Sequence, residues 1–101
     1  MGIDFVNIKI FESAKRDLKE GFYFYEYQKQ GLGHYFIETL LSDIESLRIF
    51  AGVHSVHFGK YHRLLSKRFP FAVYYIVEND IRIYAVIDCR RDPAWVREKL
   101  Q

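Results

Sequence analysis

Six cations in the second half of the chain, Arg63, Lys67, Arg68, Arg82, Arg90 and Arg91, are the residues best equipped for chemistry. Guanidinium and ammonium groups gathered on one surface hold phosphate, as a binding contact or by steadying the charge that develops when a phosphodiester is cut. Tyr75 and His62 lie among them and are the side chains placed to move a proton in such a cut. The plainer readings are that Tyr75 packs in a sheet and that His62 is a surface histidine. His54 and His57 are three residues apart, a spacing that presents two metal ligands only on a helix, and no helix is predicted there. Cys89 has no His or Asn partner nearby in sequence and reads as a small packing residue. No metal and no cofactor is expected.

These cations belong to a charge asymmetry that the overall net charge of +2 conceals. Residues 1 to 45 sum to −3 and residues 46 to 101 to +5. From Leu47 to Val77 there is no carboxylate at all, while Arg48, Lys60, Arg63, Lys67 and Arg68 are joined by three histidines. The local positive field suits nucleic acid or an acidic protein partner; its bland alternative is a solvated basic surface.

The elements that must carry these groups fit one domain, residues 1–101. Half of the residues are apolar, enough for a core without staples, and one cysteine excludes an internal disulfide. Met1 to Ile10 lacks the charged start and apolar stretch of a secretory signal, Met1-Gly2 lacks a Ser or Thr at Val6 for myristoylation, and no run is long and apolar enough for a membrane helix. A soluble, cytoplasmic protein without a membrane partner is expected.

Phe5 to Phe11 is short and β-prone and predicts a first strand. Ser13 is then a candidate N-cap, and Ala14, Leu18, Phe22, Tyr25 and Lys29 trace one face of a helix ending near Gly31. After Gly33 a second helix follows, with Ile37, Leu40, Leu41, Ile44 and Leu47 on its apolar side and Glu38, Asp43 and Glu45 opposite. The short link between them requires an antiparallel helical hairpin. Tyr61 to Arg68, Phe71 to Glu78 and Ile81 to Asp88 are strand-like, and Asp92 with Pro93 begins a short helix through Leu100.

A two-residue turn at Asn79-Asp80 would set Tyr75 opposite Tyr84, Ile76 opposite Ile83 and Val77 opposite Arg82. That register gathers Ala72, Tyr74, Ile76, Ile81, Ile83, Ala85 and Ile87 on one face, small and apolar enough to accept the helices. Phe71, Val73, Tyr75, Val77, Arg82, Tyr84, Val86 and Asp88 are left on an open, functional face, and Arg63 and Lys67 are placed with them because burying unpaired cations is costly. Arg90 and Arg91 emerge where the last strand ends.

The run from Arg63 through Phe69-Pro70-Phe71 to Tyr75, followed by Ile81 to Asp88 and Arg90-Arg91-Asp92-Pro93, resembles the RelE/ParE family of bacterial toxins from type II toxin–antitoxin systems. Ala14-Lys15-Arg16-Asp17-Leu18 and Gly31-Leu32-Gly33-His34-Tyr35-Phe36 resemble it too, so the likeness spans almost the whole chain. It implies an α+β fold, β-α-α-β-β-β, with a helical hairpin on one face of a mainly antiparallel sheet and a short C-terminal helix. It also implies a cognate antitoxin as partner, in a hetero-oligomer or beside a homodimer of the toxin. RelE-like members cut messenger RNA on the ribosome without a metal, whereas ParE-like members poison DNA gyrase and trap its cleaved DNA complex.

Phe69-Pro70-Phe71 and Arg90-Arg91-Asp92-Pro93 look more like the ParE side, and no His or Tyr stands after Asp88 where nucleases of the family carry one. The implied activity is gyrase poisoning, with Arg63, Lys67, Arg68, Arg82, Arg90 and Arg91 binding the target. The alternatives are a ribosome-dependent endoribonuclease using Arg63, Lys67, Tyr75, Arg82 and Arg90, and an inactive relic that still binds antitoxin. Tyr23, Phe24 and Tyr27, in an aromatic run richer than one buried face can use, and Trp95 are the candidate partner-binding residues. For Trp95 the other reading is packing back onto the sheet.

Overall fold

The computed structural model describes residues 6–101. Strand β1 (Ile8–Ile10) leads into helix α1 (Glu12–Gln28), which turns through Gly31 into α2 (Leu32–Glu45) and a further short turn of helix, α3 (Leu47–Phe50). The remainder is β2 (Val56–His57), β3 (Tyr61–Leu65), β4 (Phe71–Val77), β5 (Ile81–Asp88) and helix α4 (Pro93–Lys99). The sheet order is β1-β5-β4-β3-β2, antiparallel except that β1 runs parallel to β5. The expected α+β architecture is present, with α3 and β2 added between the hairpin and β3. The first strand occupies only Ile8–Ile10 of the predicted run, and Phe5 lies outside the described residues.

The hairpin forms because Gly31 takes the left-handed conformation (φ 89°) that reverses the chain within three residues of the end of α1. Glu26 then fastens the reversal, its carboxylate accepting from the Gly31 and Gly33 amides at 2.9 Å each. Those two hydrogen bonds, led by the one from Gly31, hold the Glu26 carboxyl below the usual range. Ser13 does not cap α1: Phe11 occupies that position, and the Ser13 hydroxyl donates to the Tyr84 carbonyl at 2.7 Å. Asp43, assigned above to the solvent side of α2, is buried and accepts from the Ser66 hydroxyl at 2.6 Å, whereas Leu41 of the apolar set is exposed.

The faces of the sheet differ from expectation, and the cause is a bulge. Three residues, Glu78 to Asp80, separate β4 from β5. Tyr74 pairs with Ala85 as the two-residue turn requires, but Tyr75 pairs with Ile83 and Val77 with Ile81. Tyr84 is the extra residue, so the side of the sheet that β5 presents switches along its length. Phe71, Val73 and Tyr75 therefore lie under the hairpin with Ile81, Ile83 and Val86, against Tyr25, Phe36 and Leu40. Ala72, Tyr74, Ala85 and Ile87 face the reverse side, where Val96 of α4 and Leu100 at its C-cap cover them.

Size explains the division. The long hairpin supplies rings that need rings, as Phe36 and Phe71 show with centroids 5.0 Å apart. The short α4 comes down on alanines. Arg82 and Tyr84 do sit on the reverse side, but that side is half roofed and Tyr75 is not on it.

Close approach of α1 and α2 sets the position of everything built on α1. A Cβ added at Gly33 would meet the Phe22 carbonyl oxygen at 2.5 Å and Glu26 Cβ at 2.8 Å. Gly33→Ala is expected to destabilise the chain by about 1–3 kcal/mol, read as a lowered midpoint in urea with an unchanged slope.

Candidate functional site

Where β5 ends, α1 and α4 approach each other over the hairpin edge and leave a groove of about 390 Å³. The Asp92 side chain accepts from the Ala94 amide at 2.7 Å and Pro93 supplies the first helical residue, so α4 starts sharply and in a fixed direction. Val96 and Leu100 point down to the sheet, which turns Arg91, Trp95 and Lys99, one turn apart, along one side. The Arg91 guanidinium lies 4.3 Å from the Trp95 ring centroid and the Lys99 ammonium 5.9 Å from it. Across the groove stands Phe24 of α1, more than half exposed.

The floor is Asp17. Buried on the inner side of α1, it accepts from the Val86 amide at 2.9 Å and pairs with Lys99 at 2.8 Å. Burial pushes its carboxyl above the usual range; the Lys99 and Val86 hydrogen bonds oppose that shift without cancelling it. At the rim, Asp88 grips Arg90 through Nε at 2.9 Å and Nη2 at 2.6 Å and also accepts from its amide. The Arg90 contact holds the Asp88 carboxyl well below its ordinary value. Asp17 and Lys99 were missed from sequence, although a carboxylate between Ala14 and Leu18 on the apolar stripe of a helix was a readable signal.

Of the six predicted cations, the groove brings together only Arg90 and Arg91. Arg63 stands on the reverse face, half-buried, its Nε shielded from solvent and without a hydrogen-bond partner. Lys67 is exposed in the loop after β3, since that strand stops at Leu65 and not at Arg68. Arg68 turns to the hairpin side, donating to the Tyr35 hydroxyl at 2.8 Å. At the opposite end of β5, Arg82 is neutralised by Asp80 at 2.7 Å and Glu78 at 3.1 Å.

Tyr75 is 0% exposed. Its hydroxyl accepts from the Gly52 amide at 3.1 Å and bonds His54 Nδ1, and its ring stacks on His62. These contacts pin the α3–β2 link to the buried hydroxyl, and burial raises the Tyr75 pKa and lowers that of His54. Cys89, expected to pack, is instead exposed at the end of β5, where partial desolvation still pushes its thiol up. No group of three metal-ligating side chains occurs among the described residues. Of the expected partner-binding aromatics, Tyr23 and Phe24 are more than half exposed, Tyr27 is 96% exposed, and Trp95 is 39% exposed along the groove.

No protein-family model matches the chain, and no curated protein matches it. Among solved structures it is similar to one described as a chromosomal ParDE TA system from P. aeruginosa, with a TM-score of 0.76 over 83% of this chain and 96% of that one, at 16% identity. The chain thus has the ParE-like fold that its residues suggested. No helix among the described residues is long and apolar enough to cross a membrane.

Removing Lys99 tests the floor of the groove. Lys99→Met leaves the Asp17 carboxylate buried without its counter-ion and is expected to cost about 1–3 kcal/mol near neutral pH. Since Asp17 has a raised pKa when folded, protonation favours the folded state. The deficit should therefore shrink as pH falls through the carboxylate range, measured by urea unfolding of both chains at a series of pH values.

Proposed function

We propose that the chain is the toxin of a type II toxin–antitoxin pair, that it acts inside the cell by binding a DNA gyrase–DNA complex, and that a cognate antitoxin neutralises it. The observation that carries this reading is the contrast between the groove and the scattered nuclease set. Arg90, Arg91, Phe24 and Trp95 converge at one exposed place, with a cation stacked on an indole beside a second held in a fixed fork. That is equipment for grasping a surface. The residues a nuclease would use are separated: Tyr75 is sealed on the hairpin side, Arg63 is on the reverse face, and Arg82 is saturated by two carboxylates at the far end of β5. Tyr75, the proton carrier expected of a nuclease, faces no open surface. The fold shared with a ParDE structure supports an antitoxin as partner, and the exposed Tyr23, Phe24 and Tyr27 offer it apolar area.

Induction in a bacterial host should stop growth, and the purified chain mixed with gyrase, ATP and supercoiled plasmid should accumulate linear DNA. Arg90→Glu with Arg91→Glu should reduce that cleavage by about tenfold or more while the circular dichroism spectrum stays the same. Untouched supercoiling together with messenger cleavage that needs ribosomes would replace this reading with the endoribonuclease. Normal growth with neither activity would leave a folded relic.

A further inference from the structure

On the reverse face, away from the groove at the end of β5, a second cleft of about 780 Å³ opens between α4 and the connection from β2 to β3. Phe58, Lys60, Tyr61, Tyr84, Arg97 and Lys99 line it, and no Asp or Glu side chain does. Lys99 is committed to Asp17, but neither Lys60 nor Arg97 has a carboxylate within ion-pair distance among the described residues. The two free cations sit on aromatic rings instead. Arg97 lies 5.6 Å from the Phe58 centroid, and Lys60 lies 5.4 Å from that of Tyr61.

Phe58 holds its place at a cost. Its backbone has φ 54°, the one left-handed non-glycine position among the described residues, next to Gly59 at φ 90°. A phenylalanine gains nothing locally from that conformation, which turns its ring toward Tyr74 and under Arg97. Tyr61 is fixed by its hydroxyl, which donates to the Leu100 carbonyl at 2.6 Å and so ties the cleft's two walls together.

We infer that this cleft binds a nucleotide unit, the phosphate held by Lys60 and Arg97 and the base laid against the Phe58 and Tyr84 rings. The chemistry matches on three counts: a positive site lined by no acidic side chain, aromatic rings for a planar base, and a volume that accommodates one or two nucleotides. The unit is either a free mononucleotide or part of a single strand. The inference is independent of the gyrase reading, because it concerns the isolated chain and a different surface.

Fluorescence anisotropy of a labelled hexathymidylate, titrated with the full chain at low salt, tests it. Arg97→Glu should weaken binding about tenfold or more and flatten the salt dependence, whereas Lys19→Glu, the same charge change on exposed α1, should have little effect. Phe58→Asn keeps a residue that tolerates the left-handed backbone while removing the ring, and should weaken binding several-fold, by the loss of stacking. Displacement of the probe by thymidine monophosphate identifies the mononucleotide as sufficient; displacement only by unlabelled strand identifies the strand. The inference is overturned if the probe does not bind, if neither competitor displaces it, or if Lys19→Glu weakens binding as much as Arg97→Glu. None of these results bears on gyrase-dependent cleavage, which is read separately.

Discussion

One carboxylate joins three elements. Asp17 belongs to α1, accepts the Val86 amide of β5 and holds the Lys99 ammonium of α4. Its raised pKa says that burial costs more than the two contacts return, so the pair is a poor stabiliser when counted alone. What it contributes is position. A helix of seven residues cannot dock reliably through Val96 and Leu100 only, and the Lys99 tether sets where along the sheet α4 comes to rest. Both surfaces of interest have Lys99 on their edge, the groove on one side of α4 and the cleft without acidic side chains on the other.

The basic half of the chain is thereby divided into places with different fates. Two of the cations near acids in sequence pair with them: Arg82 with Asp80 and Glu78, Arg90 with Asp88. From the stretch without carboxylates Arg48 reaches back to Glu45, but Arg63 and Lys60 remain unpaired among the described residues. Aromatic faces take over the role of counter-ion for other cations, Trp95 for Arg91, Tyr35 for Arg68, Phe58 for Arg97. Such contacts leave the cation free to meet an anion. Tyr75, His54 and His62 meanwhile hold one another in a hydrogen-bonded and stacked cluster around the buried Tyr75 ring.

Much of the architecture was legible because it depends on local signals. Helical spacing, the glycine reversal at Gly31, the Asp92-Pro93 start of α4 and the three strands are each carried by a few neighbouring residues. The emergence of Arg90 and Arg91 beside α4 followed from the same local order. The hidden features were those that needed a partner distant in sequence. Tyr84 becomes a bulge only when β5 is fitted to β4 and to the Ser13 hydroxyl of α1, 71 positions away. Asp43 is buried because Ser66 meets it, and Asp17 because Lys99 does.

From residue types and their spacing alone, this chain had to be a helical hairpin with an antiparallel sheet, cation-rich in its second half, because periodicity and capping act over a few residues and charge adds along the sequence. Which cations stand together, which face is open and which tyrosine is buried were decided by one extra residue in β5 and by the small helix that closes the reverse side. A single-residue shift exchanges the two faces of a strand, and nothing local records it; only the packing of the rings of α1 and α2 against Phe71 and Tyr75 selects the register that exists.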